Sequence, residues 1–224
     1  DFLDVDRNIL PTQSSIHHRN ETLVGLGDIS LLTGYRVWTG TSDQWTFSVD
    51  AGGGSTLPTG STEPDPFTVG RDGKEHQHIM FGSGTFDPIC QLNAMASNEE
   101  HTFSLWSTSR LPFQTNEYGM KMGMQMSAVL GWIHGFGLED WRFKVQPEIF
   151  HEEPITWEGG ETTRNSGRTD LVAGLGVLWQ LSEIAEASLT LKKPLTIMVE
   201  GGQLNMPIVV ALGINLRFDT QSPD

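Results

Sequence analysis

Apolar and polar residues alternate along most of this chain of 224 residues. Near its C-terminus one row of alternate positions is wholly apolar: Ile208, Val210, Leu212, Ile214, Leu216 and Phe218. Because successive side chains of a β-strand point to opposite faces, this period of two predicts a strand with one apolar face. The same pattern predicts nine strands and indicates no clear helix, with the strands near 23–38, 44–57, 77–96, 101–111, 117–133, 139–151, 169–181, 185–198 and 206–218. We therefore expect an all-β protein.

Alternation by itself fits two classes of protein that have opposite orientations. In a soluble sandwich the apolar face is buried, whereas in a membrane barrel it meets lipid and the polar face lines a lumen. The predicted strands exceed the usual length of about five or six residues and are long enough to cross a bilayer when tilted. Large aromatic residues also stand near predicted strand ends, as in an interfacial girdle: Trp38, Trp45, Trp132, Trp141 and Trp179. These features favour an antiparallel transmembrane β-barrel.

The predicted connections alternate in length. Short connections are expected near 39–43, 97–100, 134–138 and 182–184. Longer ones are expected near 1–22, 58–76, 152–168 and 199–205, with 112–116 as an exception. Outer-membrane barrels have short periplasmic turns and longer extracellular loops, so a periplasmic C-terminus would place every short turn on the periplasmic side.

The last strand resembles the closing strand of bacterial outer-membrane barrels. In that pattern a glycine and two arbitrary residues precede a hydrophobic, an arbitrary and a final hydrophobic residue, and here the run Gly213–Phe218 matches it. The position two places before the glycine, often polar in such barrels, is Ala211. The resemblance implies a location in the outer membrane of a Gram-negative bacterium.

Three further motifs resemble one particular family. Residues 24–36 resemble its "GLGD…YR" strand, 57–60 its "LPTG" segment and 82–87 its "GTGS-x-D" segment, and residues 193–218 resemble its final hairpin. The family comprises the outer-membrane barrels named for the meta-pathway of phenol degradation, generally described as transporters. The resemblance implies a barrel of about twelve strands that admits hydrophobic or aromatic compounds.

The number of predicted strands is odd, whereas antiparallel single-chain bacterial barrels normally have an even number. In the family, about three strands precede the segment that residues 2–7 resemble. We therefore expect residues 1–224 to form one barrel domain that lacks N-terminal strands of the natural protein or receives them from another chain. Alternatively, residues 1–22 contain one edge strand, which would give ten. Residues 219–224 are expected to form a periplasmic tail.

Charged and polar side chains on the predicted inward faces are candidates for lining the lumen. An Arg or Lys that faces lipid at the bilayer midplane costs roughly 2–4 kcal/mol, so an inward orientation is expected. The candidates are Asp28, Arg36, Asp50, Lys121, Gln125, Arg142, Lys144, Glu148, Lys192 and Arg217. Two interpretations remain open, namely an electrostatic plug that only stabilises the barrel and a polar pore lining.

The net charge of the chain limits the kinds of partner that it can bind. The net charge of −14 argues against nucleic-acid binding, which needs cationic side chains to neutralise phosphates. Acidic residues concentrate in two predicted loops, near 63–75 and 152–161, and solvation is favoured over divalent-cation bridges to anionic lipid head groups. The single cysteine, Cys90, excludes an intrachain disulfide. The expected partners are outer-membrane lipid, lipopolysaccharide and a small-molecule solute.

Candidate chemistry is sparse. Met120, Met122, Met124 and Met126 alternate on one predicted strand, where packing against lipid is favoured over copper(I) binding. The seven histidines, among them His17, His18, His76 and His78, fall in predicted loops or strand ends and are not expected to bind metal. His101 with Ser104 is the nearest approach to a nucleophile and its base, and it is disfavoured. No nucleotide-binding or zinc motif is present, so we predict neither enzyme nor cofactor.

The pattern and the resemblance together predict passage of a small, hydrophobic or aromatic solute through an outer-membrane barrel. The first alternative is a barrel that does not transport and serves as a structural or assembly partner. The second is a soluble β-sandwich that binds a ligand, in which the apolar faces would be buried.

Overall fold

The computed structural model describes residues 2–3, 23–72, 79–158, 163, 166–199, 203–204 and 207–216. Its strands, in chain order, are β1 (Phe2–Leu3), β2 (Ile29–Ser42), β3 (Trp45–Leu57), β4 (Pro88–Ser97), β5 (His101–Arg110), β6 (Met120–Lys121), β7 (Gln125–His134), β8 (Trp141–Glu152), β9 (Thr156–Trp157), β10 (Arg168–Ser182), β11 (Ala185–Val199), β12 (Gln203–Leu204) and β13 (Val209–Leu216). The prediction of an all-β protein is confirmed. One short helix of six residues, α1 (Pro66–Arg71), lies after β3 and begins at a proline preceded by Asp65, a favourable helix start.

Nine of the strands form one antiparallel sheet, as the alternation predicts. The order is β13-β11-β10-β8-β7-β5-β4-β3-β2, so each strand of this main sheet pairs with the next one along the chain. Two-stranded pairs, β1 with β12 and β6 with β9, lie outside it. Within the described residues, no helix combines the length and the apolar character that crossing a bilayer requires.

Three strands of the main sheet begin later than predicted. β2, β4 and β7 replace the predicted strands near 23–38, 77–96 and 117–133. Gly84 and Gly119 have φ angles of 72° and 81°, a left-handed conformation through which a strand does not continue. The side-chain oxygen of Asn116 accepts hydrogen bonds from the backbone N–H groups of Tyr118 (2.9 Å) and Met120 (3.0 Å). These turns hold the preceding residues in loops.

Connections in the main sheet alternate strictly in length. The short ones are 43–44, 98–100, 135–140 and 183–184, and the longer ones are 58–87, 111–124, 153–167 and 200–208. The predicted exception at 112–116 was wrong, because that connection runs from 111 to 124 and contains β6. Successive connections of an antiparallel sheet lie at opposite edges, so the sheet has a short-turn edge and a long-loop edge.

The main sheet ends in two open strands, β2 and β13. Each pairs on one side only with other described strands. All residues of β13 and all but one of β2 are exposed, so both faces of each strand are open. The described strands therefore form one large antiparallel sheet whose two end strands do not pair with each other.

Candidate functional site

The two faces of the main sheet have opposite exposures. Leu175 and Leu212 are 63% and 81% exposed, whereas Asp170 and Glu186 on the opposite face are 4% and 6% exposed. We call the face of Leu175 the outer face and that of Glu186 the inner face. Among the described residues only three hydrophobic side chains are buried, against ten polar or charged ones. A soluble sandwich needs the reverse, because its apolar face forms the core.

Ion pairs on the inner face reach across a whole strand. The Lys192 ammonium on β11 lies 2.6 Å from the Glu148 carboxylate on β8. Arg142 on β8 pairs in the same way with Glu186 on β11, and Asn215 on β13 donates a hydrogen bond of 3.3 Å to that carboxylate. Both ion pairs pass over β10, which lies between β8 and β11.

Two glycines on β10 lie next to lysine side chains of the neighbouring strands. A Cβ atom at Gly176 would lie 2.7 Å from the carbonyl oxygen of Leu189 and 3.3 Å from Cε of Lys144. A Cβ atom at Gly174 would lie 3.6 Å from Cγ of Lys192. Glycine at both positions therefore leaves room for the side chains of Lys144 and Lys192 to lie over the strand, and Lys192 reaches Glu148 in this way.

The other half of the inner face carries a second polar row. Arg36 on β2 pairs with Asp50 on β3, and Asn93 on β4 donates a hydrogen bond of 3.0 Å to the same carboxylate. The three residues stand opposite one another in the register of the strands. Trp106 on β5 is the register partner of Asn93 and is 38% exposed. The row thus places an accessible indole ring beside paired charges.

The ten predicted lumen-lining residues divide into three groups. Seven lie on the inner face of the main sheet: Arg36, Asp50, Gln125, Arg142, Lys144, Glu148 and Lys192. Asp28 precedes β2, and Lys121 lies in β6, so these two belong to the long-loop edge and not to a strand of the main sheet. Arg217 lies outside the described residues.

Three segments distant in sequence meet at Asp28. One carboxylate oxygen accepts a hydrogen bond from the backbone N–H of Gly60 at 3.0 Å. The other oxygen accepts bonds from the backbone N–H and the hydroxyl of Ser83, both at 2.8 Å. These are the segments whose motifs resemble the family, so the three motifs form one structural unit at the long-loop edge.

Arg110, at the end of β5, joins Asp28 to a second buried carboxylate. Its Nε donates to Asp87 at 2.9 Å, and its Nη2 lies 3.4 Å from Asp28. Asp87 is completely buried and also accepts a hydrogen bond of 2.6 Å from the Thr85 hydroxyl. We call Asp28, Ser83, Thr85, Asp87 and Arg110 the Asp28 cluster. Sequence analysis missed Arg110, and the one available signal was an arginine at the end of a predicted strand.

The electrostatics of the Asp28 cluster favour the charged carboxylate. Burial by itself raises the pKa of Asp28, but the hydrogen bonds from Ser83 and Gly60 together with the charge of Arg110 outweigh it. The pKa of Asp28 therefore lies below its ordinary value of 3.8. The cluster holds charge in place and presents no group poised to react.

Further contacts join the long connections to one another. The side-chain amide of Asn116 donates a hydrogen bond of 3.1 Å to the carbonyl of Ser83, which ties connection 111–124 to connection 58–87. The pairing of β6 with β9 ties connection 111–124 to connection 153–167, and Met120 is buried there. These contacts build a continuous loop layer over the long-loop edge.

Aromatic rings crowd the outer face at the short-turn edge. The five tryptophans predicted for a girdle all stand toward this edge in their strands. Trp141 and Trp179, on β8 and β10, stack with ring centroids 5.2 Å apart, and the rings of Trp45 and Phe103 are 6.0 Å apart across β4. We call these rings, with their neighbours Trp38, Phe47, His101, Trp132, His134, Phe136 and Phe143, the aromatic girdle.

Other candidate chemistry finds little support in the geometry. The expectation of four lipid-facing methionines on one strand was wrong for Met120, which is 1% exposed in β6, whereas Met126 is 43% exposed on β7. His101 and Ser104 point to opposite faces of β5, since they are three positions apart. Within the described ranges no three His, Cys, Asp or Glu side chains are placed to share a metal ion. The residues His17, His18, His76 and His78 lie outside those ranges.

Comparison with known family models and curated proteins finds no relative of this chain. The chain matches no family model, and no curated protein is significantly similar to it. The resemblance to the phenol meta-pathway barrels therefore rests on the local motifs alone.

Proposed function

We propose that this chain forms most of the wall of a bacterial outer-membrane β-barrel that lets small solutes cross along its inner face. The observation that carries the proposal is the reversed burial, with apolar side chains exposed and charged side chains sheltered. Lipid is the surrounding in which such an outer face is favourable, because burying apolar surface away from water contributes about 25 cal/mol per Å².

The two edges support one orientation. Short turns belong to the periplasmic side of outer-membrane barrels, and longer loops belong to the cell exterior. Aromatic rings settle at membrane interfaces, and the aromatic girdle lies along the short-turn edge. The loop layer with the Asp28 cluster would then face the exterior.

The two end strands of the main sheet, β2 and β13, support a barrel that contains further strands, because each of them pairs on one side only. A long exposed edge strand is normally protected by charge, proline or a covering segment. β13 carries neither a charged residue nor proline, and Arg36 is the one charged residue of β2. We propose that additional strands, supplied by a longer form of the chain or by a partner, pair with β2 and β13 and close a barrel of about twelve strands.

The class of solute follows from the resemblance and is compatible with the inner face. The charged residues there occur largely in ion pairs, which weakens the field that an uncharged solute would meet. Trp106 offers an accessible apolar surface between Asn93 and Val129, its register partners. A small hydrophobic or aromatic solute fits such a path better than an ion does.

The test is passage through reconstituted vesicles. Liposomes that contain the protein are expected to admit a small, uncharged aromatic solute that crosses a lipid bilayer only slowly, such as a phenyl glycoside, and to swell in an isosmotic solution of it. Empty liposomes and liposomes that hold heat-denatured protein are the controls. No passage with correctly inserted protein would contradict the proposal.

A second function, a structural barrel that does not transport, is favoured by one observation. The ion pairs cross β10 and the loop layer joins three long connections, so both the inner face and one edge are braced. The vesicle assay separates the two functions, because a braced and closed barrel would insert without admitting any solute.

A further inference from the structure

The outer face contains a groove of about 530 Å³, lined among others by Phe47, Ala94, Ala96, Phe103, Leu130 and Trp132. Its floor results from two small residues between large ones. Ala96 on β4 stands between Phe47 on β3 and Phe103 on β5. Ala94 likewise stands between larger register partners on both sides. The groove is open to the surroundings of the outer face, and its lining is almost wholly apolar, so it suits an apolar occupant.

Polar groups stand next to the short-turn end of the groove, beside its lining residue Trp132. The indole N–H of Trp132 can only donate, and it lies 3.3 Å from Nδ1 of His101, so that nitrogen accepts the hydrogen bond. A neutral His101 therefore carries its proton on Nε2. That nitrogen lies 3.8 Å from the carboxylate of Glu100, whose side chain is 76% exposed. An N–H donor and a carboxylate thus stand side by side where the aromatic girdle meets the turn at 98–100.

Building on the proposed function, we propose that this groove binds one acyl chain of a phospholipid with a phosphoethanolamine head group. The apolar lining suits a hydrocarbon chain, and the groove is continuous with the outer face that lipid would cover. His101 would donate a hydrogen bond to the phosphate, and Glu100 would pair with the ammonium group. The carboxylate and the N–H donor are therefore complementary to the ammonium group and the phosphate of the head group.

The position of the groove selects phospholipid over lipopolysaccharide. The polar groups next to it lie at the short-turn edge, which the proposed orientation places in the periplasmic leaflet. That leaflet of an outer membrane consists of phospholipid, whereas lipopolysaccharide forms the outer leaflet. A lipopolysaccharide chain would have to reach the groove from the long-loop edge.

The experiment counts bound lipid on the full chain. The protein is incorporated into vesicles of equal parts phosphatidylethanolamine and phosphatidylglycerol, released in mild detergent and weighed by native mass spectrometry. The wild type is expected to retain one phosphatidylethanolamine molecule. Ala94→Phe fills the groove and is expected to lower this occupancy about tenfold. Ala187→Phe is the matched control, because Ala187 is an outer-face alanine of β11 that does not line the groove, and it should retain the lipid.

The head group is tested separately with Glu100→Gln, a change at an exposed turn that leaves the fold intact. It is expected to abolish the preference for phosphatidylethanolamine over phosphatidylglycerol and to leave the total bound lipid unchanged. An unchanged preference would overturn the head-group assignment.

The proposal of the groove site and the proposed function fail in different ways. A wild type that inserts into vesicles but retains no phospholipid, or retains it equally in Ala94→Phe, would overturn the groove site alone. Preferential retention of lipopolysaccharide, added at equal concentration, would do the same. A chain that remains in aqueous solution without detergent would overturn the proposed function as well.

Discussion

At the long-loop edge the side chains that hold the structure are polar and buried, whereas at the short-turn edge they are aromatic and half exposed. Asp87 of the Asp28 cluster is completely buried, and Trp141 of the aromatic girdle is 41% exposed. Hydrogen bonds among buried polar groups are satisfied within the protein itself. Exposed aromatic rings, in contrast, gain most of their stabilisation from the medium around them. The two edges should therefore respond differently to mutation and to lipid.

The largest effect is expected from Arg110→Met. The substitution leaves Asp87 and Asp28 buried without their shared cation, and breaking such a pair costs about 3–5 kcal/mol. We expect the free energy of unfolding to fall by that amount, measured by urea titration of the protein in detergent micelles. Lys121→Met is the control, because it removes an exposed cation from the same loop layer and should cost about 0–1 kcal/mol.

Lipid should not change that result. Because the partners of Arg110 all belong to the protein, the loss is expected to be the same in micelles and in vesicles. A loss that disappears in vesicles would contradict the assignment of the Asp28 cluster to a self-contained loop layer.

Glycine substitutions compare the packing of the two edges directly. A Cβ atom at Gly82 would lie 2.5 Å from the carbonyl oxygen of Gly60 and 2.6 Å from a carboxylate oxygen of Asp28. Gly82→Ala therefore forces the loop segments apart, at a cost of about 1–3 kcal/mol. At the short-turn edge a Cβ atom on Gly135 meets its neighbours at 3.8 Å or more, so Gly135→Ala should fit. Limited proteolysis is expected to cleave connection 58–87 faster in Gly82→Ala only.

The sequence predicts a region well when its structure depends on residues close together in the chain, and poorly when it depends on residues far apart in the chain. Alternation predicts the nine strands and places seven charged or polar side chains on the inner face, because parity along a strand is a local property. The Asp28 cluster escapes such reasoning, since Ser83 and Arg110 are distant from Asp28 in the chain and meet it only after the sheet has formed. The late starts of β4 and β7 escape it as well, because loop residues there also alternate. The left-handed Gly84 and Gly119 interrupt the chain before these two strands.

The stacked pair Trp141 and Trp179 tests the aromatic girdle. The two residues are register partners on the outer face, and an aromatic pair contributes about 0.5–1.5 kcal/mol beyond the area that it buries. A double-mutant cycle with Trp141→Leu and Trp179→Leu is expected to give a coupling energy in this range. If the short-turn edge lies at a membrane interface, as proposed, the single substitutions should cost more in vesicles than in micelles, because the interface would stabilise each ring. Equal costs in both media would contradict the assignment of this edge to a membrane interface.

The smallest effect is expected from acidification, which at the long-loop edge acts through the carboxylate of Asp28. The pKa of Asp28 in the folded protein lies below 3.8, because hydrogen bonds from Ser83 and Gly60 and the charge of Arg110 outweigh the effect of burial. The unfolded chain therefore takes up this proton first as the pH falls. The stability that the carboxylate contributes is fully present above pH 3.8 and is lost as the pH falls through the folded pKa.

Unfolding free energies of the wild type and of Asp28→Asn, measured from neutral pH downward, should thus differ by a constant amount until the pH reaches about 3.8 and converge below it. Glu139→Gln, which removes an exposed carboxylate at the short-turn edge, should give a curve parallel to that of the wild type. A difference between wild type and Asp28→Asn that grows on acidification would mean that burial dominates at Asp28. The hydrogen bonds that join the three loop segments would then not stabilise the charged form.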